Sequence, residues 1–135
     1  MMALPITTLY VSYFALFFIY LAWRVVSLRK KHHVGIGTSD HKDLEVAARC
    51  HGNAVEYVPV TLLLLLVSEL NHFPVWILHA AGATLVVSRI LHVIGMTSTQ
   101  GGTSFGRFYG ILGSWLVLIA LALINLSLFL GVHYS

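Results

Sequence analysis

Four long apolar segments restrict the folds that are open to this sequence. They run through residues 5–27, 44–70, 74–95 and 105–131, each close to the roughly 20 residues that a helix needs to cross the hydrocarbon of a bilayer. The segments are continuously apolar, whereas the strands of a membrane barrel alternate in polarity over about 10 residues. The sequence therefore predicts an all-α fold, a bundle of four transmembrane helices that forms a single integral-membrane domain over residues 1–135.

The composition also indicates that lipid surrounds most of the chain. Hydrophobic residues make up 58% of the sequence and charged residues 10%, against about 25% charged residues in an ordinary soluble domain. The net charge of +3 comes largely from residues that flank the helices, where they orient the chain and contact membrane lipids. No basic patch interleaved with aromatic residues is present, so the charge does not indicate a nucleic-acid partner. The single cysteine, Cys50, excludes an intrachain disulfide and a cysteine metal cluster.

Basic residues are concentrated around the first loop and predict the orientation of the bundle. The connection between the second and third segments, residues 69–74, carries no Lys or Arg. By the positive-inside rule the first loop is cytoplasmic, so both termini are expected outside and the third loop, residues 96–106, inside. The first segment is predicted to remain as an anchor, because its basic cluster follows the apolar stretch instead of preceding it. The basic residues in question are Arg24, Arg29, Lys30, Lys31 and Lys42.

A polar stripe opens the second helix. Arg49, Asn53 and Glu56 follow one another at i, i+4 and i+7, which places them within an arc of roughly 60° on a helix. Ionisable groups at membrane depth cost roughly 2.5 to 3.5 kcal/mol each and normally face a bundle interior, where they mark binding or transport sites. His51 points about 160° away from Arg49, so the two faces of this helix can line two different sites.

The third and fourth helices add further polar residues at the same depth. Arg89, His92 and Met96 share one face of helix 3 at i, i+3 and i+7, and Arg107 opens helix 4. One interpretation is a buried ion pair between Arg89 and Glu56 that only fixes helix packing. The concentration of so many polar groups at one depth favours a ligand site instead.

The first loop contains three histidines in the string H-H-V-G-I-G-T-S-D-H, residues 32–41. His32, His33 and His41 raise the question of a metal site, but adjacent histidines in a loop lack the partners that orient metal ligands. We therefore predict no metal. Ser39 or Asp40 is predicted to cap the second helix.

Three arginines beside a carboxylate and an amide suit a zwitterion with more than one carboxylate. Arginine binds carboxylates in a bidentate manner and Glu56 can accept an ammonium. Glutathione has two carboxylates, one ammonium and a thiol, and an arginine near that thiol would stabilise the nucleophilic thiolate. The apolar surroundings can accept a hydrophobic co-substrate from the bilayer.

The pattern R-x-x-x-N-x-x-E-x-x-P, present as Arg49, Asn53, Glu56 and Pro59, resembles a known signature. It is similar to that of the MAPEG family, the membrane-associated proteins in eicosanoid and glutathione metabolism, which include microsomal glutathione transferases and a lipoxygenase-activating protein. The string R-C-H-G-N-A-V-E-Y-V-P looks most like small bacterial members. The resemblance implies a homotrimer in the bacterial inner membrane, with glutathione sites between protomers that open toward the cytoplasm.

The resemblance also implies roles for individual residues. In helix 2 the glutathione contacts would come from Arg49, Asn53, Glu56 and Tyr57. Arg29 would reach the site of the neighbouring protomer, and His51 occupies a position that is polar in enzymes of the family. Arg107 matches the arginine that stabilises the thiolate. Arg89 and His92 complete the predicted site, although His92 and Met96 stand where the leukotriene-synthesising branch has tyrosines.

Two classes of function follow from this site. The first is a glutathione transferase or peroxidase that acts on lipophilic electrophiles through an arginine-stabilised thiolate, with glutathione as co-substrate. The alternative is a non-catalytic protein of the same family that binds or presents lipid. A small transporter subunit has less support, because the sequence shows no paired broken helices.

Overall fold

Four α-helices make up the computed structural model, which describes the backbone of residues 4–134 and the side chains of residues 4–131. The helices are α1 (Pro5–His32), α2 (Lys42–Leu70), α3 (Val75–Ser98) and α4 (Phe105–Tyr134). All four are long and apolar enough to cross a membrane, and residues 4–134 contain no β-strand. The all-α, four-helix prediction is confirmed.

Helix α1 continues beyond its predicted end at residue 27, as far as His32. The added turn carries Arg29, Lys30 and Lys31, whose charges are favourable beside the negative end of the helix dipole. The helix ends where His33 takes a left-handed conformation with φ 56°, and the N–H of Val34 donates to the carbonyl of Arg29 at 3.0 Å. A left-handed residue with a bond back across the last turn is a common helix terminus.

The predicted cap of α2 is wrong. His41 is the N-cap residue and makes no side-chain capping bond, whereas Ser39 and Asp40 lie in the preceding turn with φ values of 45° and 62°. The Asp43 carboxylate instead accepts the N–H of Leu44 at 2.8 Å and contacts His32 Nε2 at 2.9 Å. This carboxylate therefore joins the end of α1 to the beginning of α2.

Helix α2 contacts all three other helices, and α3 packs most extensively against α4. The α3–α4 contact is close because glycines occupy it: a Cβ on Gly95 would collide with the backbone of Arg107, and a Cβ on Gly110 would collide with that of His92. Small residues permit this kind of backbone approach in membrane helices. As a result, the polar residues of α3 lie directly beneath the first turns of α4.

Buried apolar residues form two clusters at different levels of the bundle. The larger cluster includes Phe14, Val58 and Leu85. The smaller one includes Leu21, Cys50 and Met96, and it lies near the polar ends of α2 and α3. The core thus leaves one end of the bundle to the polar side chains.

Candidate functional site

Arg49 and Glu56 form an ion pair on the outer surface of α2. The Nη1 atom of Arg49 lies 3.8 Å from Oε1 of Glu56, and the two side chains are 61% and 52% exposed. Their predicted common face is confirmed, but it points out of the protomer and not into the bundle, because Cys50, Ala54 and Val58 occupy the buried side of the same helix. Two opposite charges are therefore presented on the surface of a membrane-spanning helix.

Asn53 is half-buried at the edge of this face, and its side chain bonds inward to Arg89. Arg89 is 1% exposed, and its Nη1 donates to Oδ1 of Asn53 at 2.7 Å while Nη2 donates to the carbonyl of Gly110 at 3.0 Å. The packing interpretation of an Arg89–Glu56 ion pair is wrong, since Glu56 lies with Arg49. Within residues 4–131 no protein acceptor bonds the amide nitrogen of Asn53, which keeps both of its N–H donors for a ligand or water.

The polar face of α3 lies inside the protomer. Arg89, His92 and Met96 are all buried, which confirms that they share one face. Gly110 lets the backbone of α4 approach that of His92. Direct contact of Arg89 or His92 with glutathione stays a prediction; the interactions of Arg89 that the structure shows are with Asn53 and the carbonyl of Gly110.

Arg107 is enclosed by the glycine-rich third loop. Its backbone N–H donates to Oγ of Ser104 at 3.1 Å, and its guanidinium donates to the carbonyls of Gly101 and Gly102. Arg107 also lines an apolar cavity of about 400 Å³ that extends along α4 past Ile111 to Trp115. A cation at one end of an apolar cavity suits an amphiphilic ligand or a thiolate facing an apolar reactant.

The remaining predicted residues lie around this arrangement. The ring of Tyr57 is half-buried, with its centroid 6.4 Å from that of Trp115. Arg29 donates to the carbonyl of Gly37 at 2.9 Å, and His51 is half-buried. In the described part of one protomer, no hydrogen bond or ion pair joins Arg29 or His51 to the Arg49–Glu56 pair.

Two of the three histidines around the first loop, His32 and His41, stack on each other. The rings of His32 and His41 lie 3.9 Å apart between centroids, with 13° between their planes. Within the described residues, no three or more His, Cys, Asp or Glu side chains are arranged to hold a metal ion.

Sequence reasoning did not anticipate Trp115 or the bond that Arg24 makes to Thr97, in which Nη2 lies 3.2 Å from Oγ1. The position of Arg24 inside the first apolar segment was a usable signal, because an arginine there needs a polar partner. For Trp115 the only signal was its spacing of eight residues, about two turns, from Arg107.

Fold and site together define an integral membrane protein, a four-helix bundle in which polar side chains gather toward one end. The chain belongs to the MAPEG family, whose family model matches residues 7–127. It is 32% identical over 121 residues to the inner membrane protein YecN of Escherichia coli strain K12, a match that covers 90% of each chain. YecN of Escherichia coli O6:H1, strain CFT073, matches to the same extent. No solved structure matches the chain.

Proposed function

We propose that this protein is a membrane-bound glutathione transferase or peroxidase that acts on lipophilic electrophiles. The observation that carries the proposal is the exposed Arg49–Glu56 pair beside the amide of Asn53. Membership of the MAPEG family supports it.

The exposed pair suits a zwitterion because each side chain can give up its ion-pair partner and bind the oppositely charged group of the ligand instead. Arg49 takes a carboxylate of glutathione and Glu56 takes its ammonium, so one ion pair of 3.8 Å is replaced by two charge-assisted contacts. Asn53 donates its free amide hydrogens to a peptide carbonyl or carboxylate of the same ligand. Arg89 holds Asn53 from behind and fixes the direction of those hydrogens.

The chemical step uses Arg107 and the apolar cavity. The positive charge of Arg107 stabilises the glutathione thiolate, and the cavity along α4 holds an apolar electrophile beside it. The thiolate sulfur forms a bond to the electrophilic carbon as the leaving group departs with its electron pair.

The active assembly is a homotrimer. An ion pair on the outside of a membrane-spanning helix is costly against lipid, and a second copy of the chain can cover it. Arg29 and His51, which do not reach the pair within one protomer, are then contributed by neighbours. By the positive-inside rule the sites open toward the cytoplasm with both termini outside, and the membrane is the bacterial inner membrane, as the name of YecN states for that protein.

Calorimetry on the detergent-purified protein tests recognition apart from chemistry. Glutathione and an analogue in which a methyl group replaces the thiol are titrated separately. Binding of both supports recognition through carboxylates and ammonium. If neither binds at millimolar concentration, the glutathione proposal is wrong.

The second candidate is a protein that binds or presents lipid without catalysis. The observation that favours it is the cavity bordered by Phe108, Ile111 and Trp115, which is almost entirely apolar. A lipid-only protein would bind a fatty-acyl ligand in this cavity with equal affinity in the presence and absence of glutathione, and would show no thiol conjugation. A transferase would release a thioether product from a lipophilic electrophile such as a chlorodinitrobenzene.

A further inference from the structure

A second groove lies at the polar end of the bundle, lined by none of the residues assigned above to glutathione. It has a volume of about 320 Å³ and is formed by the ends of α1, α2 and α3. The residues that matter to its chemistry are Trp23, Arg24, Ser27, Asp43, Thr97 and Gln100. The groove is therefore a candidate for a separate ligand.

The guanidinium of Arg24 has unused binding capacity in this groove. Arginine carries five N–H donors, and among residues 4–131 Arg24 makes one hydrogen bond, to the neutral hydroxyl of Thr97. Among residues 4–131 it forms no ion pair. Asp43 also lines the groove, but its carboxylate is engaged by His32 at 2.9 Å and Lys31 at 3.8 Å. A half-buried positive charge is left without an anionic partner.

The position of Arg24 on α1 suits the boundary between lipid headgroups and acyl chains. It lies eight residues before the end of α1 at His32, or about 12 Å along the helix axis. Trp23, beside it, is 63% exposed, and exposed tryptophans are enriched at the level of the headgroups. One and two turns further into the membrane, α1 exposes Tyr20 and Leu16, a surface that suits acyl chains.

We propose that this groove is a binding site for the phosphate of an anionic phospholipid. Arg24 is its main cation and binds two phosphate oxygens through its fork of N–H groups. Ser27 and Gln100 supply neutral donors, and the acyl chains lie against the exposed apolar face of α1. A lipid phosphate fits better than a soluble anion, because the groove is continuous with an apolar surface on the membrane side of Arg24.

Tryptophan fluorescence tests the proposal directly, since Trp23 lines the groove. With Trp76 and Trp115 replaced by phenylalanine, Trp23 is the single reporter. The protein is placed in vesicles containing brominated phosphatidylglycerol or brominated phosphatidylcholine, and quenching is measured against mole fraction. We expect brominated phosphatidylglycerol to give the same quenching at about a fivefold lower mole fraction than brominated phosphatidylcholine. This ratio is the preference expected from one cationic residue in contact with an anionic lipid.

Variants of Arg24 and Lys30 test whether the preference for the anionic lipid depends on the groove. Arg24→Gln is expected to remove it, while Lys30→Gln, which deletes an exposed cation from the last turn of the same helix, is expected to keep it. Arg24→Lys keeps the charge but not the fork and should give an intermediate preference, which serves as the test if Arg24→Gln does not fold. Equal preferences in the Arg24 variants and Lys30→Gln would overturn the proposal. Loss of the wild-type preference on adding inorganic phosphate, against chloride at equal ionic strength, would assign the groove to a soluble anion and also overturn it.

Discussion

At the scale of single residues, the second helix divides its polar side chains between two surroundings. Asn53 bonds inward to Arg89, whereas Arg49 and Glu56 pair outward. A buried guanidinium without its hydrogen-bond acceptors is strongly unfavourable, so Asn53 and the Gly110 carbonyl stabilise Arg89 as much as Arg89 orients them. The outward face of α2 and the interior of the bundle are connected through this one amide.

Arg49→Ala and Glu56→Ala are each expected to weaken glutathione binding more than tenfold. Each change removes a charge-assisted partner from a partly desolvated site, worth roughly 1.5 to 3 kcal/mol. Calorimetry measures the affinity, and Lys42→Ala is the matched control, because Lys42 is an exposed cation in the first turn of the same helix that pairs with Glu45. Since both target side chains are exposed in the protomer, folded variants are expected. Unchanged affinity in a folded variant would remove that residue from the site.

Arg107→Ala is expected to leave glutathione affinity within a few fold but to raise the pKa of the bound thiol. A nearby positive charge favours the thiolate and lowers the thiol pKa, so its removal returns the pKa toward roughly 8.5 or above and slows the reaction at pH 7 roughly tenfold or more. Ultraviolet absorption of the thiolate, followed as pH is varied, measures the change. Arg107→Lys keeps a positive charge and should retain part of the thiolate at pH 7. An Arg107→Ala titration that coincides with the wild type would exclude Arg107 from the mechanism and favour the lipid-binding function.

The residue-scale predictions from sequence depended on helical periodicity. Spacing alone correctly placed Arg49 with Glu56 and Arg89 with His92. Spacing did not show that the Asn53 side chain points into the bundle while Arg49 and Glu56 point out of it. An arc of roughly 60° is wide enough to include both the edge of a buried face and the edge of an exposed one. The direction is decided by Arg89 on a different helix, and a contact between two residues that lie 36 positions apart in the sequence leaves no local pattern.

At the scale of helices, α1 is held at both of its ends by carboxylates from α2. Asp43 contacts His32 at the polar end, and Glu69 accepts the N–H groups of Ile6 and Thr7 at 2.9 and 2.7 Å at the other. The N-cap residue of α1, Leu4, has no side-chain bond of its own. Glu69 therefore serves as the cap for a neighbouring helix, whose free N–H groups and positive dipole end favour a carboxylate.

Glu69→Ala is expected to destabilise the protein by about 1 to 2 kcal/mol, the usual cost of losing a helix cap. The melting temperature in detergent measures the effect. Glu69→Gln retains a neutral acceptor and should cost less, and Glu45→Gln is a control because Glu45 is exposed and pairs only with Lys42. Glutathione affinity should not change in folded Glu69 variants, since none of the predicted site residues contacts Glu69. Equal melting temperatures for Glu69→Ala and the wild type would show that the cap does not contribute.

The lengths of the apolar segments predict that the four helices exist, but they predict less well where each helix begins and ends. The polar turn Arg29 to His32 lies outside the predicted apolar segment, yet Arg and Lys have high helix propensity and their charges are favourable at the negative end of a helix dipole. Ser39 and Asp40 have the chemistry of caps but adopt left-handed backbone conformations. Their backbone angles depend on how tightly the loop must turn between α1 and α2, which composition does not specify.

At the scale of the whole molecule, the fold follows from hydropathy because a bilayer permits few alternatives to continuous helices. The site does not follow in the same way. The charged face of α2 points out of the protomer, so its surroundings depend on what covers it. Arg29, held to the carbonyl of Gly37 in one protomer, is proposed to serve the site of a neighbour, and no pattern within a single chain specifies that arrangement.

Mixing of inactive variants tests the proposed trimer. In detergent, three copies of the 14.9 kDa chain should give an assembly whose protein mass is three times that of one chain, as cyclic symmetry allows. Arg29→Ala and Arg49→Ala are each expected to be inactive alone. If Arg29 and Arg49 of adjacent protomers serve one site, co-expressed chains form some sites in which both arginines are intact, and these regain glutathione conjugation.

A mixture of Arg49→Ala with Glu56→Ala is the control: both residues lie on the same helix face and pair with each other, so every site in that mixture lacks one of them. Activity should return in the first mixture and not in the second. Verified mixed trimers without activity in the first case would place Arg29 and Arg49 in a site formed by one chain.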